Sequence, residues 1–88
     1  MNIMYPEEIK KAMETNKAMI GRDTTIKALK KGKLAKVFVT KNYFEKEQLR
    51  RLCKTAETEL EELNETNEEL GAMCKTAHSI SIIGIKKE

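Results

Sequence analysis

One histidine and two cysteines in 88 residues leave little material for metal or nucleophile chemistry. Cys53 and Cys74 belong to no CxxC pair or Cys/His cluster, which excludes a four-ligand zinc site. No serine or cysteine around His78 forms a recognisable nucleophile motif, and no glycine-rich phosphate loop of the Walker or dinucleotide type occurs. Glu61, Glu62, Glu68 and Glu69 read as a solvated face rather than as paired catalytic carboxylates. Catalysis, a cofactor and a metal are therefore not expected. Long apolar runs are missing too: nothing approaches the roughly 18 residues of a membrane-spanning helix. The opening residues, Met-Asn-Ile-Met-Tyr-Pro-Glu-Glu, lack the basic-then-apolar order of a signal peptide. The two cysteines are accordingly expected to be reduced, small and half-buried, in a cytoplasmic protein.

No repeat, low-complexity tract or linker interrupts the chain, so residues 1–88 are expected to form a single domain with one small core. Its stability should be modest, on the order of 5 kcal/mol. A composition 40% hydrophobic and 35% charged is that of a globular protein. The formal charge of +3 hides an asymmetry: residues 1–54 hold 14 basic and 6 acidic side chains, residues 55–88 hold 3 and 8. Seven basic residues and one acidic one fall between Arg22 and Lys41. Such a split suits an acidic partner, or simply a dipolar soluble protein.

Tyr5-Pro6-Glu7-Glu8 is a helix start, with proline in the first turn and two glutamates against the positive end of the dipole. Ile9, Ala12 and Met13 share one face of that helix, and Asn16 ends it. Lys17 to Ile20 suits a short strand. A second helix begins near Arg22 or Asp23, with Asp23, Thr24 and Thr25 all able to cap it; Ile26 and Leu29 face inward and Gly32 closes it. Leu34 to Val39 is a strand rich in β-branched and aromatic residues, followed by the loop Thr40-Lys41-Asn42. From Phe44 onward Leu49, Leu52, Cys53, Ala56, Leu60 and Leu63 keep a helical period, which favours one amphipathic helix over 45–63. The alternation Thr58-Glu59-Leu60-Glu61 would instead allow an edge strand. Thr66 or Asn67 caps a short helix through Met73, Lys75 to Ser79 form a polar loop, and Ile80 to Ile85 read as a central strand.

The order helix, strand repeated four times carries a family resemblance. EIKKAMETNKAMIGRDTTIKALKKGKLAKVFVTKN followed by NEELGAMCKTAHSISIIGI resembles the archaeal and eukaryotic large-subunit ribosomal protein thirty. That group lies within the kink-turn RNA-binding superfamily, which also holds the seven-Ae ribosomal proteins. The likeness runs from about Glu8 to Ile85, and its most specific pieces are Gly21 with the Thr-Ile-Lys that follows, KKGKLAKVFV, and Glu69-Leu70-Gly71. His78-Ser79-Ile80-Ser81 is close to the archaeal branch.

The resemblance implies a three-layer α/β/α sandwich with a mixed four-stranded sheet, and with it a strand over 58–63. It implies an RNA-binding protein of the large ribosomal subunit, a monomer when free. Its partners would be structured RNA, ribosomal RNA above all, and other ribosomal components, with no membrane. One RNA-binding surface would comprise Gly21, Arg22, Asp23, Thr24 and Lys27, flanked by Lys41 and Asn42. The other would comprise Leu70, Gly71, Lys75, Thr76, Ala77, His78 and Ser79. The physics suits these roles: Gly21 permits close backbone approach, helix amides and Lys27 meet phosphates, and Asp23 or Thr24 can bond base edges. Two positions depart from the wider pattern. The seven-Ae branch has Asn-Glu where this chain has Asp23-Thr24, and a glycine common in the loop before the last strand is here Lys75. The alternative is a protein-interaction module of the same fold, or a helical dimer built on residues 44–63.

Overall fold

Four short helices alternate with four strands: α1 (Glu7–Glu14), β1 (Ala18–Ile20), α2 (Arg22–Lys30), β2 (Leu34–Val39), α3 (Lys46–Thr55), β3 (Glu59–Glu62), α4 (Asn67–Met73) and β4 (Ile82–Lys86). The structure is a computed structural model and describes residues 7–76 and 78–87. The helix start at Tyr5-Pro6 and the candidate residue Ala77 lie outside the described residues. The strands form one sheet in the order β1-β4-β2-β3. β4 runs antiparallel to both neighbours and β2 pairs parallel with β3, so the sheet is mixed.

Alternation along β2 and β4 divides the core between the two faces. Val37, Val39 and Ile82 pack with Leu29 of α2 and with Leu49 and Cys53 of α3. Phe38 and Ile83 pack on the other face with Ile9 of α1 and with Leu70 and Cys74 near α4. Two helices thus cover each face, which is the expected α/β/α sandwich. Cys53 and Cys74 are free and buried, more deeply than expected, and burial pushes both thiols above their ordinary pKa.

The helical period over 45–63 misleads. α3 ends at Thr55, and the alternating segment 59–62 is the edge strand β3, parallel to β2. The break is a backbone reversal at Glu57, whose φ is 55°. The N–H of Glu57 bonds Lys54 O at 3.2 Å and that of Thr58 bonds Cys53 O at 2.8 Å, the Schellman pattern of a helix end. All four helices stop this way, with Asn16, Gly32, Glu57 and Lys75 in the left-handed region. Gly32 and Asn16 are residue types that favour such a stop, whereas Glu57 and Lys75 carry little sequence signal. Leu60 still packs beside the α2–α3 cluster and Leu63 in the other, as alternation on a strand allows. A helical dimer built on 44–63 would have only the ten residues of α3 to rest on, not a continuous helix.

Smaller boundaries shift as well. Gly21, not Asp23, Thr24 or Thr25, is the cap residue of α2; the Thr25 side chain is fully buried and donates to Met19 O at 3.2 Å. At the other end Lys31 is the cap, with Gly32 just beyond it. β4 starts at Ile82, while Ile80 is buried in the loop before it. Lys36, on the α1–α4 face of β2, is almost buried and meets Glu8 at 2.9 Å, Glu61 at 2.9 Å and Glu59 at 3.2 Å. Burial opposes its charge, but the three carboxylates outweigh burial and raise its pKa.

Candidate nucleic-acid interface

The register brings four connections to one edge of the sheet. Ile20 pairs with Ile83, Val39 with Ile82, and Val39 with Glu62. The carboxyl ends of β1, β2 and β3 therefore lie beside the amino end of β4. Backbone bonds lace the connections together: Gly21 N to Ile82 O at 3.3 Å, Thr40 N to Ser81 O at 3.0 Å, Lys41 N to Glu65 O at 3.1 Å, and Ile80 N to Asn67 O at 3.0 Å. Gly21, Arg22, Asp23, Thr24, Lys41, Asn42, His78 and Ser79 consequently share this edge, although up to 58 positions separate them in sequence.

The start of α2 is the open part of the edge. Gly21 has φ 111° and ψ 150°, a conformation essentially limited to glycine, and a Cβ there would meet nothing within 4 Å. No side chain caps the first-turn N–H groups, and the Asp23 side chain is 95% exposed. Arg22 is committed elsewhere. Its Nε donates to the Tyr43 hydroxyl at 3.2 Å and its Nη2 to Glu45 Oε1 at 2.6 Å, so it locks α2 to the loop after β2. Lys27, Lys30, Lys31, Lys33 and Lys41 are exposed, and among the described residues none of them is in an ion pair. Lys27 and Lys30 line a groove of about 460 Å³ between α2 and α3, shared with Arg22, Tyr43 and Leu52.

The second predicted surface divides. Gly71 is buried in α4, and a Cβ on it would stand 2.3 Å from the His78 carbonyl oxygen. It therefore lets the loop before β4 lie against the helix and is not itself presented at the surface; Leu70 is core. The Thr76 hydroxyl is spent within the same loop, 2.7 Å from His78 O and 3.2 Å from Gly71 O. Lys75, at φ 58°, stands at the far end of α4 in a groove with Lys10, Met13 and Glu14. His78 and Ser79 are exposed at the edge itself.

Asn42 is held rather than free. Its Nδ2 donates to Asn67 Oδ1 at 2.7 Å, and its Oδ1 accepts from Asn67 N at 3.0 Å. Asn67 thereby joins the β2 loop, the start of α4 and, through Ile80, the start of β4; the sequence reading missed this role. It also missed Tyr43, Glu45 and Phe44. An aromatic pair inside the polar run Lys41 to Gln48 was the available signal. Among the described residues no group of three or more His, Cys, Asp or Glu side chains could hold a metal ion, and no helix is long and apolar enough to cross a membrane.

Residues 5–88 match the family described as the ribosomal protein L7Ae/L30e/S12e/Gadd45 family. No curated protein matches the chain. Solved structures share the fold at low identity. A protein of unknown function from Bacillus halodurans superposes with a TM-score of 0.79 at 18% identity, over 91% of this chain and 81% of that one. The Giardia lamblia 15.5kD RNA binding protein gives 0.79 at 17% identity, over 92% of this chain and 69% of its own. An archaeal translation termination factor gives 0.73 at 15% identity, over 93% of this chain but only 24% of its own.

Proposed function

The chain belongs to the ribosomal protein L7Ae/L30e/S12e/Gadd45 family, and from that premise we propose that it is a non-catalytic RNA-binding protein of one domain. It recognises a kink-turn or similar internal-loop RNA through the start of α2. The observation that carries this reading is the uncapped first turn behind Gly21, with five exposed lysines free of ion pairs on α2 and the adjacent loops. Amide N–H groups and lysines both suit phosphate oxygens, and irregular RNA offers splayed bases that a continuous A-form helix hides. The Giardia lamblia neighbour is described as RNA binding, which agrees.

The finer assignment is to the protein-thirty branch, in the cytoplasm, on the large ribosomal subunit. It rests on His78-Ser79-Ile80-Ser81 and on KKGKLAKVFV. Ribosomal RNA and neighbouring ribosomal components are the partners, and the free protein is a monomer. A gel-shift titration against a kink-turn RNA and a plain duplex of equal length tests the reading. Tighter binding to the kink-turn, weakening steeply with salt through counterion release, is expected. Equal weak affinity for both RNAs would overturn it.

A further inference from the structure

Two large hydrophobic side chains are exposed among the described residues, Ile20 at 39% and Phe44 at 85%. Both lie at the edge that carries the start of α2: Ile20 directly precedes Gly21, and Phe44 follows β2 in the loop to α3. From this placement we infer that Phe44 is a stacking platform for an unpaired base of the RNA held at α2. The inference rests on the RNA-binding reading and adds to it a contact outside both surfaces that the family resemblance implies.

The loop that presents the ring is itself held in place. Tyr43, before it, is buried in the α2–α3 cluster, and its ring lies 5.5 Å from that of Phe44 at 50°. Glu45 follows, and Arg22 binds both neighbours, at 3.2 Å to the Tyr43 hydroxyl and 2.6 Å to the Glu45 carboxylate. Tyr43 N bonds Thr40 O at 3.3 Å, and Lys46 Nζ bonds Lys41 O at 2.7 Å, which closes the turn beneath the ring. One arginine from α2 thus pins the residues on either side of Phe44. A loop so held needs little further ordering of its backbone when a base stacks on the ring, which favours binding.

The surroundings select a nucleotide. Tyr43 and Glu45 both line the groove that Lys27 and Lys30 share, so phosphates beside those lysines bring the attached bases toward the loop. Every base has a π-face, so one exposed aromatic ring suits any unpaired residue. An apolar protein partner would meet a single ring instead of a continuous apolar patch, for Phe44 has no large apolar neighbour exposed to a comparable degree.

The sequence contains no tryptophan, so Phe44→Trp introduces a single fluorescent reporter at the proposed contact. The experiment titrates wild type, Phe44→Trp, Phe44→Leu and Lys27→Ala with a kink-turn RNA bearing unpaired nucleotides, and sediments each protein alone. Phe44→Trp should bind like wild type with its emission quenched at saturation. Phe44→Leu, apolar but not aromatic, should weaken binding roughly tenfold, as loss of one stacked base does. Lys27→Ala should weaken binding while the quench measured in a Phe44→Trp background persists at saturation. If wild type binds with Lys27 dependence but Phe44→Leu is unchanged, or the emission is unaffected, stacking is overturned and the RNA reading stands. If wild type binds no RNA, both fall. A wild-type dimer that Phe44→Leu dissociates, with RNA affinity unaltered, overturns stacking in favour of contact with a second copy.

Discussion

α2 and α4 begin at the same edge of the sheet and begin in opposite ways. α4 is closed by its own residues. Thr66 Oγ1 accepts from Glu69 N at 3.2 Å, Glu69 Oε1 accepts from Thr66 N at 2.9 Å, and Asn42 takes the N–H of Asn67. α2 has only Gly21 at its cap and no side chain on its first-turn amides. The charges divide likewise: residues 22–33 hold five basic side chains and one acidic, whereas residues 57–69 hold seven glutamates and no basic residue. An anion is repelled from one side of the edge and left unmet donors on the other. The difference shows that the fold does not fix the chemistry of this edge by itself; the local sequence at each helix start does.

Charge reversal should break that contrast most strongly. Lys27→Glu with Lys30→Glu is expected to cost about 3 kcal/mol of RNA affinity, from two charge-assisted phosphate contacts. The slope of log affinity against log salt should fall by about two, one per lysine lost. Glu65→Gln with Glu68→Gln, on the closed side, should leave affinity level or slightly improved. Filter binding at two salt concentrations reads both. Equal losses from the two pairs would mean that the whole edge, not α2, takes the RNA.

Gly71→Ala should come next and act on stability. The added methyl would enter the His78 carbonyl at 2.3 Å, where only backbone can yield. About 2 kcal/mol should be lost in denaturant unfolding, the usual range for forced overpacking. The exposed residues His78 and Ser79 would shift with the loop, so RNA affinity should report the same change if that loop is the second contact.

Thr66→Ala should be smaller, about 1 kcal/mol, because it leaves the Glu69 N–H without its cap. Lys75→Gly should have the opposite sign. Lys75 occupies φ 58° at the stop of α4, where a Cβ is unfavourable, and its N–H already bonds Ala72 O at 3.1 Å. Glycine there relieves the backbone at some cost in unfolded-chain entropy, a net gain of about 0.5 kcal/mol by thermal unfolding.

These residues also mark where sequence reading ends. A cap at Thr66 or Asn67, the apolar run of β4 and the glycine after α2 are local signals, and each was legible. The end of α3 was not, because Glu57 takes a left-handed turn that its side chain does not advertise. For the candidate site, residue types were legible, but the way packing engages their polar groups was not. Arg22, Asn42 and Thr76 have residue types that suit RNA, yet tertiary packing commits their polar groups to Tyr43, Glu45, Asn67 and His78. Lys36 counts among the seven basic residues of the segment, but three glutamates from α1 and β3 take up its charge. Periodicity cannot foresee such pairings, since all but the Thr76–His78 contact join residues 21 to 28 positions apart.

The smallest effect concerns the charge on the closed cap. The backbone N–H of Thr66, and then its side chain, hold the Glu69 carboxyl below its ordinary value of 4.5. A group whose folded pKa is depressed contributes stability above its unfolded pKa and loses it as pH falls through the folded value. Glu69→Gln keeps a side-chain acceptor for the Thr66 N–H but removes the titrating charge beside the helix N-terminus. Wild type should therefore be slightly more stable than Glu69→Gln near neutral pH, with the gap closing below about pH 4.5. Glu62, held low chiefly by Arg50, titrates in both proteins and cancels from the comparison. Thermal unfolding of the pair from about pH 7 to about pH 3 measures the gap. A gap that stays constant over that interval would mean the cap holds α4 by geometry alone, and that the contrast with α2 lies in hydrogen bonding rather than charge.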